Sequence, residues 1–351
     1  MKAIVQRETG ASSVLKLAEI DRPEVRPRDV LIRVVACGVC YHDVVVRQGV
    51  YRKRVHMPLV PGHEVSGIII ETGTAVRHLK VGDRVCTVQR RSVCGECRHC
   101  RSNRETLCEF QEFMGDAHHN GGYAEFVAVA EDCTVRVPDG IPLEQASIVA
   151  CAIGTQLNAI RDVAKVRLGE TVLITGAGGT QGGHGVQVAR ACGAHVLALA
   201  SSQAKADAIL AIGASGVIVV KHGEDFSKQV REATDGRGVD VVIDNVGAET
   251  FHSVRRSLAQ GGRWALVGAI SGMKVPFNPA ELFINGIDML SAVSCSRSQL
   301  EDALKLVSLG MVSPIIASEL PLEDAAVAHE RLEHGESGGK LLLRIEEATQ
   351  L

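Results

Sequence analysis

The chain has 351 residues, 46% of them apolar, and a formal charge of −3. Its length exceeds what one hydrophobic core usually serves, so two domains are expected, and the near-neutral charge gives no electrostatic reason for a nucleic-acid or membrane partner. No run of about 18 apolar residues occurs, which argues against a membrane-spanning helix, and Met1–Arg7 lacks the order of a secretion signal, so a cytoplasmic protein is expected.

Short β-like runs fill about the first 150 residues: Val30–Val35, Val65–Ile70, Arg84–Val88 and Ala124–Val129. Pro61-Gly62, Val81-Gly82-Asp83 and Pro138-Asp139-Gly140 punctuate them. No helix-period stretch of comparable strength precedes Leu143, so this part reads as β-rich.

Within it, Cys94, Cys97, Cys100 and Cys108 form C-x2-C-x2-C-x7-C in a polar loop. Four thiolates on short spacers suit a closed tetrahedral zinc site with a structural role. An iron–sulfur cluster also takes four thiolates, but its bacterial spacing ends in a Cys-Pro that is missing here. Three further ligand types lie apart: Cys40, the pair His63-Glu64, and Cys151. Singly each is weak, and a lone cysteine in an apolar run such as Cys151 is more often small core filling than a ligand.

From about Ala152 strands and helices alternate. Thr171–Thr175, His195–Ala200, Val217–Val220, Val239–Asp244 and Arg263–Val267 read as strands, Gly185–Cys192 and Ala204–Ile212 as helices. That rhythm predicts a doubly wound parallel sheet. Between the first strand and its helix stands Gly176-Ala177-Gly178-Gly179-Thr180-Gln181-Gly182-Gly183. Glycines there let a backbone approach a pyrophosphate at a helix N-terminus. The G-x-G-x-x-G spacing fails at Gln181, whereas Gly176, Gly179 and Gly182 fit G-x-x-G-x-x-G. The second strand ends at Ala200-Ser201-Ser202 with no acidic residue for ribose hydroxyls, and Ser201, Ser202 and Lys205 leave room for a 2′-phosphate. NADP(H) is therefore expected over NAD(H), with tolerance of both as the alternative.

Gly38-Val39-Cys40-x-x-Asp43, Gly62-His63-Glu64-x-x-Gly67, Val81-Gly82-Asp83-Arg84-Val85, the four-cysteine loop and the glycine turn together resemble the zinc-containing medium-chain alcohol dehydrogenase family over nearly the whole chain. The resemblance implies an α/β fold: a GroES-like catalytic domain (1–153 and 292–351) and a Rossmann cofactor domain (154–291). It implies two zinc ions per chain, the catalytic one on Cys40, His63 and Cys151, with Glu64 as an occasional ligand and Asp43 orienting His63 from behind. The implied activity is hydride transfer between NADP(H) or NAD(H) and a small alcohol, aldehyde or ketone. It also implies a homodimer or homotetramer, with Met273–Met289 as a candidate contact. Cys37, Cys86, Cys133, Cys192 and Cys295 are left as core residues.

The pattern departs from the family where a Ser or Thr usually begins the proton route, which is His42 here, and where a further histidine often stands, which is Val45. His42 as proton donor or acceptor and His42 as a packing residue are both open. The glycine spacing and His42 also resemble a branch with acryloyl-CoA reductases and quinone reductases. The alternative is thus NADPH-dependent reduction of an activated C=C bond; Tyr51-Arg52-Lys53-Arg54 could then meet CoA phosphates, although such a run is more often a solvated loop. A non-catalytic nicotinamide-binding protein is the alternative outside enzymes.

Overall fold

The computed structural model describes residues 1–50, 55–269, 271–335 and 338–345; the Tyr51–Arg54 run lies outside them. The chain divides into two compact units, Met1–Gly154 with Ser294–Ser308 and Ile316–Leu351, and Thr155–Val293 with Leu309–Ile315. Among the described residues no helix is long and apolar enough to cross a membrane.

The first unit is built on the strand Asp29–Val39, which is buried on both faces along almost its whole length. Such a strand must be an apolar run rather than an alternation, as Val30-Leu31-Ile32 and Val34-Val35-Ala36 are. It pairs antiparallel with Glu64–Thr72 on one side and with Phe126–Ala130 and then Lys340–Arg344 on the other. The seven-stranded sheet runs Ile316–Pro321, Lys340–Arg344, Asp29–Val39, Glu64–Thr72, Arg84–Thr87, Thr134–Arg136, with Phe126–Ala130 off this path. Register sets Glu64 opposite Gly38 and Leu341 opposite Val39. The end of the central strand is therefore flanked by Glu64 and Lys340.

The part before Leu143 is β-rich as expected but not all-β, since among the described residues it carries the helix Tyr41–Gln48. Eight residues with three consecutive valines give no legible helical period. Its start is fixed by a carboxylate, since the Cys40 backbone N–H donates to Asp43 Oδ2 at 3.1 Å, and Gly49 at φ +80° ends it.

In the second unit six parallel strands run in the order Gly216–Val219, His195–Ala200, Thr171–Ile174, Val239–Asp244, Leu258–Leu266, Asp288–Ser291. Order reverses beside Thr171–Ile174, which opens a crevice at the carboxyl ends of the strands. The core under the sheet packs Leu173, Leu197, Val242 and Val254 around the fully buried Trp264. Leu309–Ile315 belongs here because it is clamped to the helix Thr180–Ala191: Gln187 exchanges two hydrogen bonds with Ser313, and the Ile315 N–H donates to His184 Nε2.

Four of the five cysteines expected in the core, Cys37, Cys86, Cys133 and Cys295, are buried; Cys192, at the C-terminal cap of Thr180–Ala191, is half-buried instead. A helix end is solvated on one side, which is why an apolar thiol there stays partly open.

Candidate active site

Four residues from three chain segments meet in the first unit. Cys40 stands at the N-cap of Tyr41–Gln48, His63 and Glu64 where the strand Glu64–Thr72 begins, and Cys151 in the π-helical turn Val149–Gly154. Ligand atoms of Cys40, His63, Glu64 and Cys151 all lie within 4.8 Å of one another. The Cys40 and Cys151 sulfurs are 4.0 Å apart, near the roughly 3.8 Å edge of a tetrahedron with about 2.3 Å zinc–sulfur bonds. They are far beyond a disulfide bond length of about 2 Å.

His63 Nδ1 faces Asp43 Oδ1 at 3.1 Å, which turns Nε2 of the ring away from the carboxylate. Burial alone would raise the Asp43 carboxyl, but the adjacent His63 holds it well below the ordinary carboxylate range. The Cys40 thiol is held far below its usual value, first by the Cys151 hydrogen bond and then, against burial, by Lys340 and His63. A low-lying thiolate beside an oriented imidazole is the donor chemistry a divalent cation requires.

Glu64 is buried and paired with Lys340, whose Nζ donates to Glu64 Oε1 at 2.5 Å and to the Val39 carbonyl at 3.2 Å. Burial raises the Glu64 carboxyl to about 6 against the pull of Lys340. Gly38 is obligatory here, because a Cβ on it would stand 2.4 Å from Glu64 Oε2.

His42 borders this cluster. Its ring lies 5.4 Å from that of His63 and 5.1 Å from that of Phe113, and its Nε2 is 3.6 Å from Asp116 Oδ2. Its side chain is 28% exposed, whereas His63 is buried.

The four-cysteine loop closes on itself. Sulfur–sulfur distances are 3.9 Å for Cys94–Cys100, 3.6 Å for Cys97–Cys100 and 3.5 Å for Cys108–Cys94. Backbone N–H groups of Cys97, Cys94 and Phe110 donate to Cys94, Cys108 and Cys108 sulfurs in turn, each at 3.4 Å. Such donors stabilise thiolates, and the Cys100 N–H brings the Cys97 thiol down to about 6.

In the second unit Gly176 takes φ +61° and Gly179 caps Thr180–Ala191 without a side chain. A Cβ on Gly182 would stand 2.3 Å from the Gly176 carbonyl oxygen, so the first helical turn can sit on the loop only as glycine. This leaves a bare cradle of backbone N–H groups at a helix N-terminus, which fits a pyrophosphate. Gln181, where the spacing broke, has a partner: Gln156 Nε2 donates to Gln181 Oε1 at 2.9 Å and to Asn245 Oδ1 at 2.7 Å. Ser201, Ser202 and Lys205 are exposed at the end of the adjoining strand. The Ser202 hydroxyl caps Gln203–Ala211 through the Lys205 N–H, and the Lys205 stem lies against Gly178.

Lys340, Tyr123 and His329 escaped sequence reasoning. Lys340 had a signal, a single cation opening the apolar strand Lys340–Arg344. Tyr123 and His329 had none, since a tyrosine after two glycines and a histidine on an amphipathic helix are ordinary.

The alcohol dehydrogenase GroES-like domain matches residues 26–139, and the zinc-binding dehydrogenase domain matches residues 182–308. An alcohol dehydrogenase of Geobacillus stearothermophilus is 34% identical over 333 residues, 95% of this chain and 96% of that protein. An acryloyl-coenzyme A reductase of Sulfurisphaera tokodaii is 33% identical over 346 residues, 98% of this chain and 100% of that protein. The crystal structure of AibC aligns at a TM-score of 0.93 and 42% identity, covering 99% of this chain and 96% of that one. With these likenesses spanning both units, the chain belongs to the zinc-containing medium-chain alcohol dehydrogenase family and is an oxidoreductase.

Proposed function

We propose that the chain moves a hydride between NADP(H) and a small alcohol, aldehyde or ketone at a zinc ion held by Cys40, His63 and Cys151, with a second zinc held by the four-cysteine loop. The observation that carries this reading is the convergence of Cys40, His63 and Cys151 with Asp43 on the far side of the His63 ring. Zinc bound there supplies Lewis acidity toward a substrate oxygen.

The protein's own groups do the rest. Asp43 fixes the His63 tautomer so that Nε2 faces the cluster. Lys340 holds the Glu64 carboxylate at the rim of the cluster. His42 stands beside His63 and would hold or move a proton at Nε2, with Asp116 behind it. Gly176, Gly179 and Gly182 would take the cofactor pyrophosphate, and Ser201, Ser202 and Lys205 its 2′-phosphate.

His42 in place of a hydroxyl favours a second reading, reduction of a C=C bond conjugated to a carbonyl or thioester, and the relative from Sulfurisphaera tokodaii is named for such an activity. One panel separates the two: oxidation of NADPH and NADH with aldehydes, ketones, enones and acryloyl-CoA. The first reading expects turnover of saturated carbonyls. Turnover of the alkenes alone overturns it.

The unit that carries the glycine turn also supports a homo-oligomer. The strand Asp288–Ser291 pairs on one side only among the described residues, and Phe283 and Ile284 beside it are 74% and 66% exposed.

A further inference from the structure

Behind the Asp43–His63 pair the structure holds two more buried polar groups. Asp43 Oδ2, already accepting from the Cys40 backbone N–H, lies 3.2 Å from the Tyr123 hydroxyl. The same hydroxyl oxygen lies 3.2 Å from His329 Nε2. Asp43, Tyr123 and His329 are fully buried, and His63 is 1% exposed.

Hydrogen-bond directions along this chain are forced. An ionised Asp43 can only accept, so His63 Nδ1–H and the Tyr123 O–H both donate to it. The Tyr123 oxygen then needs a donor, which is His329 Nε2–H. Neutral and charged imidazole both carry that N–H, but the buried His329 Nδ1 has no hydrogen-bond partner among the described residues, which favours the neutral ring with Nδ1 bare. Burial supports the neutral form by lowering this histidine to about 4.

Gly62, the residue before His63, supplies an independent observation. At φ +98° it presses on the Tyr123 ring, and a Cβ there would sit 2.4 Å from Tyr123 Cδ1. The ring is tied in place by its own backbone, with the Tyr123 N–H donating to the Pro61 carbonyl and the Ile4 N–H donating to the Tyr123 carbonyl. Tyr123 thus touches the chain that carries His63 and the carboxylate that orients it.

We propose that Tyr123 and His329 are positioning residues for the metal centre. They lock Asp43, and through it the tautomer and tilt of His63, so that the helix Ala325–Glu333, whose His329 stands 206 residues from Tyr123 in sequence, helps to set metal retention. The inference rests on Cys40, His63 and Cys151 holding zinc.

The test uses the zinc-loaded enzyme. Zinc release to a chromogenic chelator is followed in wild type, Tyr123→Phe, His329→Leu and His329→Gln, with His63→Ala as reference. The visible spectrum is then recorded after cobalt(II) replaces the ion. Tyr123→Phe and His329→Leu are expected to release the cluster ion at least about tenfold faster, the loss typical of removing a group that orients a metal-bound histidine. Their cobalt spectra shift, and the ion of the four-cysteine loop leaves at the wild-type rate. His329→Gln keeps an N–H donor and is expected to restore release toward wild type. Wild-type release rates and spectra in both Tyr123→Phe and His329→Leu overturn the inference alone. An unchanged metal content in His63→Ala overturns the site reading and the inference with it. Should Tyr123→Phe not fold, the His329→Leu and His329→Gln pair decides the matter.

Discussion

Lys340 brings an ammonium into a place where only 5% of its side chain meets solvent. Burial opposes that charge, but the Glu64 carboxylate holds Lys340 well above its ordinary value. Removing one member of such a pair strands the other. Lys340→Met should lower stability by about 3–5 kcal/mol, whereas Lys340→Met with Glu64→Gln should recover much of it; urea midpoints measure both, and an unmoved midpoint in the single variant defeats the expectation. His329 sets a pH dependence. Burial lowers it from 6.5 to about 4, with Arg47 adding to this and Asp43, Glu333 and Cys40 opposing. A base depressed in the folded state leaves the unfolded chain to take up the proton first. Its contribution is therefore intact above pH 6.5 and lost as pH falls toward about 4, at most about 3 kcal/mol. His329→Gln should flatten the urea-midpoint slope between pH 4.5 and 6.5, as buffer conditions chosen around those values. At this scale the residues with bonded chemistry and the nearest support, Asp43, were legible, while Lys340, Tyr123 and His329 were not. Cys40 and His63 announce themselves by motif, but the donors behind them come from loops and strands whose meeting depends on register.

Among the elements, the helix Tyr41–Gln48 was hidden by its short run of valines, although Asp43 both caps it and faces His63. The motif disclosed only the second of these jobs, and the valine run masked the helix that the first one starts. The four-cysteine loop is the opposite case, legible from spacing alone. Between Cys94 and Cys108 its sole aliphatic residue is Leu107, and two short turns, Cys100–Ser102 and Glu105–Leu107, are all its helix. So little apolar burial cannot offset about 1–2 kcal/mol of backbone ordering per residue. If a metal orders the loop, chelation should open it to trypsin at the exposed Arg98, Arg101 and Arg104 while the remainder resists. Peptide mapping before and after chelation reads this directly. Equal protection with and without metal would mean that the loop is held by its backbone alone.

At the scale of the molecule, the alternating half was the easier to read. Parallel strands joined by helices lie in the sheet nearly as the chain lays them down, so His195–Ala200 and Val239–Asp244 fall on either side of Thr171–Ile174. The β-rich half was legible only as β. Its sheet closes by setting Lys340–Arg344 beside Asp29–Val39, a pairing of distant segments that local pattern does not encode. The open strand Asp288–Ser291 carries the same physics beyond the single chain. In the proposed homo-oligomer, this edge, which pairs on one side only among the described residues and lies beside exposed Phe283 and Ile284, would pair with a second copy across a two-fold axis and extend the sheet. Glu at position 283 with Lys at 284 would force two charges into that contact on each side. Desolvating them without designed partners costs several kcal/mol, and each 1.4 kcal/mol weakens association about tenfold. Phe283→Glu with Ile284→Lys is thus expected to shift the light-scattering mass to that of one chain, with the circular dichroism of the folded protein retained. An unchanged oligomer mass would move the contact to another face, and a monomeric wild type would remove it altogether.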